Sequence, residues 1–61
     1  MMIVKTFIAR DKLKAARKAL DYWYENFRDD CPMIKFFSRC FWKKKDGDFL
    51  IIYRGPAPKD K

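Results

Sequence analysis

Histidine and glutamine are absent from this 61-residue chain, and serine, threonine, asparagine and glutamate occur once each, as Ser38, Thr6, Asn26 and Glu25. Acid–base chemistry near neutral pH leans on histidine, and covalent chemistry on an activated Ser, Cys or Lys. No convincing catalytic pair can be assembled from what is left, so the expectation is a protein that is not an enzyme and uses no cofactor. Cysteine is scarce too. Cys31 and Cys40, with no histidine to help, cannot make an ordinary four-ligand zinc site within one chain. They read as a loop thiol and a core thiol rather than a redox pair. No apolar run approaches the ~20 residues of a spanning helix. The opening Met1-Met2-Ile3-Val4-Lys5 lacks the charged start, apolar stretch and small-residue cleavage site of a secretory leader. A cytoplasmic protein with reduced thiols and no membrane partner is therefore expected.

What the chain has in quantity is positive charge and rings. Fifteen Lys and Arg face eight Asp and Glu, a net charge of +7. Such a balance favours an acidic partner, although small proteins also carry charge for solubility alone. A chain this short buries only about 60% of its unfolded surface. Six Phe, three Tyr and two Trp compensate with bulk, in a monomer core or in ring surface shared by a homodimer.

The order of segments predicts an α+β fold, β-α-β-β: a three-stranded, mainly antiparallel sheet with one amphipathic helix on one face. Residues 2–9 read as a strand with two apolar faces, suited to the centre of a sheet. Residues 11–28 read as a helix capped by Asp11. Its stripe of Leu13, Ala16, Leu20, Trp23 and Phe27 should meet the sheet, with Lys14, Lys18, Asp21, Tyr22 and Glu25 opposite. Trp23 and Trp42 should meet in the core. Pro32 stops the helix. Residues 33–44 and 49–54 read as two strands of a hairpin turning at Asp46-Gly47, so that Lys45 faces Asp48, Lys43 faces Leu50, Phe41 faces Ile52 and Arg39 faces Arg54. Whether the first strand pairs with the second or the third is open. Residues 1–54 form the expected compact domain, and residues 55–61, with two prolines and no apolar anchor, an extended mobile tail.

Three features bear on function. Alternate residues of the 33–44 segment, Lys35, Phe37, Arg39, Phe41 and Lys43, place cations and rings on one side, with Arg54 across the hairpin. Rings stack on bases and cations track phosphates, so this face suits single-stranded nucleic acid. Ile34, Phe36, Cys40, Trp42, Phe49, Ile51 and Tyr53 make the more apolar opposite face, expected under the helix. The second feature is a basic cluster, Arg10, Lys12, Lys14, Arg17 and Lys18, at the helix start, where the helix dipole prefers acids. The bland alternative is a solvated face eased by Arg17–Asp21 and Lys18–Asp21 pairs. The third is Lys43-Lys44-Lys45 before the turn, more simply read as a guard against edge pairing.

The leading expectation is a small nucleic-acid-binding protein that grips DNA or RNA mainly through the backbone. The rival is a protein-binding inhibitor or adaptor, of the kind phages and mobile elements encode, docking its open sheet face on an acidic or apolar patch of a larger protein. Tyr22, Phe37, Phe41 and Arg39 would then be the hot spots. A homodimer joined by open faces or edge strands fits either.

Overall fold

The computed structural model describes residues 1–58. Five elements follow one another: β1 (Met2–Ala9), α1 (Lys12–Asn26), α2 (Met33–Ser38), β2 (Cys40–Lys45) and β3 (Asp48–Pro56). The strands form one open antiparallel sheet of order β1-β3-β2. The expected α+β fold with a helix against a three-stranded sheet is what forms, with a second short helix added. Among the described residues no helix is long and apolar enough to cross a membrane.

Asp11 starts α1 with extended backbone, and its carboxylate accepts the Lys14 N–H at 2.8 Å. One orphan donor of the first turn is thereby satisfied. The helix ends at Phe27, whose carbonyl accepts the N–H groups of Asp30 and Cys31. Trp23 ties the following loop back by donating its indole N–H to the Cys31 carbonyl at 2.8 Å. Trp23 is thus a loop staple. It does not meet Trp42, which lies nearly half exposed on β2.

The segment 33–38 is a helix, not the strand that its composition predicts. Pro32 precedes the first turn, where a missing N–H is no loss, and its carbonyl accepts the Phe36 N–H at 3.1 Å. The hydroxyl of Ser38 closes the end on the Lys35 carbonyl at 2.7 Å. Apolar residues without a clear period fit either element. Packing selects the helix here, because it drives Phe36 into the core, stacked on Tyr53 at 4.5 Å and 10°.

The hairpin register is the expected one, with Lys45 opposite Asp48, Lys43 opposite Leu50 and Phe41 opposite Ile52. Asp46 and Gly47 both take positive φ, 51° and 83°, as a two-residue turn requires. Arg54 N–H reaches the Arg39 carbonyl at 3.3 Å, one pair past the end of β2. β3 is the central strand, and β1, expected in the centre, is an edge. β3 also runs to Pro56, so Gly55 and Pro56 of the expected tail pair with Ile3 and Met2. Residues 59–61 of that tail lie outside the described residues.

The core is Phe7, Ala15, Ala19, Phe27, Phe36, Ile51 and Tyr53. α1 therefore meets the sheet through Ala15 and Ala19, two small residues one turn apart that let the backbone approach closely. Tyr22, one turn further, was expected to be solvated; it packs at ring-centroid distances of 5.4 Å from Phe7 and 5.8 Å from Phe27. Of the stripe expected inside, Phe27 lies in the core and Ala16 and Trp23 pack against it, whereas Leu13 and Leu20 point out, with Leu13 78% exposed.

Candidate interaction surfaces

Alternation along the paired strands sorts the sheet into two faces. Ile3, Phe7, Ala9, Phe49, Ile51, Tyr53 and Cys40 face the helices, with Trp42 and Lys44 at the hairpin end. The other face carries Met2, Val4, Thr6 and Ile8 from β1, Leu50, Ile52 and Arg54 from β3, and Phe41, Lys43 and Lys45 from β2. No element packs over it among the described residues. Met2 is 68% exposed, Val4 65% and Phe41 49%. Thr6, Ile52 and Phe41 form one cross-strand row, and Ile8, Leu50 and Lys43 the next. The cations stand around this apolar strip: Lys43 and Lys45 along the β2 edge, and Arg54 opposite Val4. Asp48, opposite Lys45, is the sole acid on this face among the described residues.

The expected binding residues therefore divide. Phe41, Lys43 and Arg54 lie on the open face as anticipated. Lys35, Phe37 and Arg39 do not, because α2 interrupts the strand. Lys35 is exposed on α2. Phe37 packs edge-on against Phe36 at 5.2 Å and is partly buried. Arg39 holds helical backbone angles, φ −92° and ψ −3°, so it drops out of strand alternation. Its side chain crosses to the helix side, where Gly55 leaves room: a Cβ on Gly55 would lie 2.9 Å from Arg39 Cδ and 2.8 Å from the Tyr53 hydroxyl. That hydroxyl donates to the Pro56 carbonyl at 2.7 Å. Burial raises the Tyr53 pKa, and the nearby Arg39 charge pulls it partly back. Burial also raises Tyr22, and it pushes the Cys40 thiol up to about 11.

The basic helix start is dispersed, each cation in its own environment. Lys14 is held at Asp11, Nζ to carboxylate 3.9 Å, and Lys18 donates to the Ile8 carbonyl at 2.7 Å. Lys12 turns toward the hairpin, its ammonium 5.0 Å from the centre of the Trp42 ring. Lys44 sits 5.1 Å over Phe49, its cross-strand partner. Lys12, Trp42, Lys43, Lys44 and Phe49 line one shallow hollow at this end. Arg10, in the bend after β1, is exposed. Arg17 lies elsewhere, on a groove between α1 and α2. The anticipated Arg17–Asp21 and Lys18–Asp21 pairs do not form; the ion pairs among the described residues are Lys14–Asp11 and Arg28–Asp29.

Sequence reasoning missed the β1 half of the open face, since the pairing of β1 was undetermined. It also missed Trp42 as a surface ring. The signal available was Ala15 and Ala19: two alanines one turn apart mark the close-approach side of α1 and turn the leucine stripe outward. No protein-family model matches this chain, and neither a curated protein nor a solved structure matches it.

Proposed function

We propose that this protein is a protein-binding module whose open sheet face docks on a larger partner, as a small inhibitor or adaptor does. The observation that carries the reading is the uncovered strip of Met2, Val4, Ile8, Phe41, Leu50 and Ile52 on a sheet whose other face is already packed. Contiguous apolar surface of this kind is rare on a monomer unless it is used. The rim defines the partner. Lys43, Lys45 and Arg54 would repel a second copy laid face to face, but suit an apolar patch bordered by carboxylates. Rim charges of this sort raise the association rate and choose the partner more than they tighten the complex.

The test is affinity capture from the source cell after nuclease treatment, using the native protein beside Val4→Glu and Phe41→Glu. A stoichiometric protein retained by the native chain and lost with both variants is the expected outcome. Capture indifferent to both variants would rule the face out.

A second reading has its own observation. Lys12 and Lys44 each lie over a ring at the hairpin end, with Lys43 beside them and Trp42 46% exposed. A ring flanked by lysines is a stacking platform for single-stranded nucleic acid, worth roughly 1–3 kcal/mol per base. Anisotropy of a labelled single-stranded oligonucleotide checks it. Binding should fall steeply with salt and be lost in Trp42→Ala; no binding at low salt would remove this reading.

A further inference from the structure

An apolar stripe runs along the outward side of α1 between its charged residues. Leu13, Leu20 and Tyr24 follow at heptad-like steps and are exposed. With Ala16, and with Met33 and Phe37 of α2 as a side wall, Leu13 and Leu20 line a groove of about 530 Å³. This groove lies on the helix side of the sheet, away from the open sheet face. Two charged residues lie on it, Arg17 and Asp21, one turn apart. Neither enters an ion pair among the described residues, although an i, i+4 pair is within reach.

We infer that the groove is the interface of a twofold homodimer in which α1 packs antiparallel against α1 of a second copy. The charges select this occupant. A twofold axis between positions 17 and 21 brings Arg17 against the partner's Asp21, and Asp21 against the partner's Arg17. The cation and the carboxylate of each copy are then matched across the axis. Leu20 lies near the axis, and Leu13 comes beside the partner's Tyr24, so apolar surface is covered along the whole stripe. An isologous interface needs such self-complementarity, and this groove carries one cation and one carboxylate on a chain of net charge +7. The dimer leaves both open sheet faces outward, so the inference does not rest on the docking proposed for them.

Sedimentation of the native chain across concentration, beside Arg17→Glu and Asp21→Arg, is the deciding experiment. The native chain should dimerise, and each single reversal should weaken dimerisation by roughly tenfold or more. The two variants mixed should form a heterodimer of near-native affinity. The carboxylate introduced at position 17 of one variant then meets the guanidinium introduced at position 21 of the other, and the unchanged Asp21 of the first meets the unchanged Arg17 of the second. Both sites are exposed, and recovery on mixing also shows that each variant is folded. A native chain that stays monomeric at millimolar concentration would overturn the inference. So would single variants that dimerise as well as the native chain, or a mixture that associates no better than its parts.

Discussion

β3 belongs to two surfaces at once. Ile51 and Tyr53 are essentially inaccessible, while Leu50 and Ile52, their neighbours in sequence, are only partly covered. The difference is not in hydrophobicity, since Leu and Ile are at least as apolar as Tyr. It lies in what covers each side. Two helices lay Ala15, Ala19, Tyr22, Phe27 and Phe36 over one face, and among the described residues no further element remains to cover the other. A three-stranded sheet with helices on one side has an apolar back, and that back is either shared with another molecule or left wet.

The largest effect that sharpens this contrast is Phe36→Ala. The ring is fully buried, stacked on Tyr53 and tilted against Phe27 at 5.4 Å. Its loss should cost about 3–5 kcal/mol, enough to unfold much of so small a domain. Urea unfolding, or loss of the far-ultraviolet helix signal where no transition remains, checks it. Native-like stability would mean that α2 is not part of the core.

Gly55→Ala should come next. A methyl there would sit 2.8 Å from the hydroxyl of a rigid, buried tyrosine and 2.9 Å from Arg39. The arginine can move, but the ring cannot without disturbing Phe36. A cost of about 1–3 kcal/mol follows. Thermal melts of Gly55→Ala and of Gly55→Ala with Arg39→Ala separate the two contacts. If removing the arginine restores the native midpoint, the tyrosine is not the constraint.

How much of this was readable beforehand follows from where local rules suffice. Asp46-Gly47 demands positive φ at two successive positions, and that alone sets the hairpin register down to Phe41 opposite Ile52. Asp11 caps α1 for a local reason, whereas Pro32, expected to stop that helix, opens α2 after α1 has already ended at Phe27. The 33–38 segment was not legible, because Met-Ile-Lys-Phe-Phe satisfies both strand alternation and a short helix. Only the place Tyr53 leaves for Phe36 decides between them. The same tertiary fact moves Lys35, Phe37 and Arg39 off the open face and so dismantles half of the anticipated basic-aromatic strip. Leu13 and Leu20 leave the core side of the helix, while Phe27 of the same expected stripe stays in it, for a related reason. Large apolar residues ordinarily mark the core side of a helix, whereas the close approach of this helix to its sheet needs the small ones.

The covered face also differs from the open one in how it titrates. The Cys40 thiol is raised to about 11 by burial, from an ordinary 9.0, and Tyr22 and Tyr53 are raised by burial as well. In each case the fold holds the neutral form. This contribution is fully present below the ordinary value and is lost as pH climbs through the raised one. The melting temperature should therefore fall between pH 9 and 11, and less steeply in Cys40→Ala. An equal slope in both proteins would mean that the thiol plays no part.

The smallest expected effect is the most discriminating. Val4→Thr keeps the β-branched shape and strand propensity of β1 while removing apolar character from the open face, and Phe41→Ala removes a ring from it. Val4 is 65% exposed and Phe41 49%. In a molecule whose open face is wet, Val4→Thr should change stability by no more than about 0.5 kcal/mol, as surface substitutions do. Phe41→Ala should cost little more, far below its counterpart Phe36→Ala across the sheet. Urea midpoints at low and high protein concentration measure both. A cost for Phe41→Ala approaching that of Phe36→Ala, and growing with concentration, would show that the face is already buried between copies. The sheet would then have two cores, and the docking surface for a larger partner would have to be sought at the hairpin end or along α1.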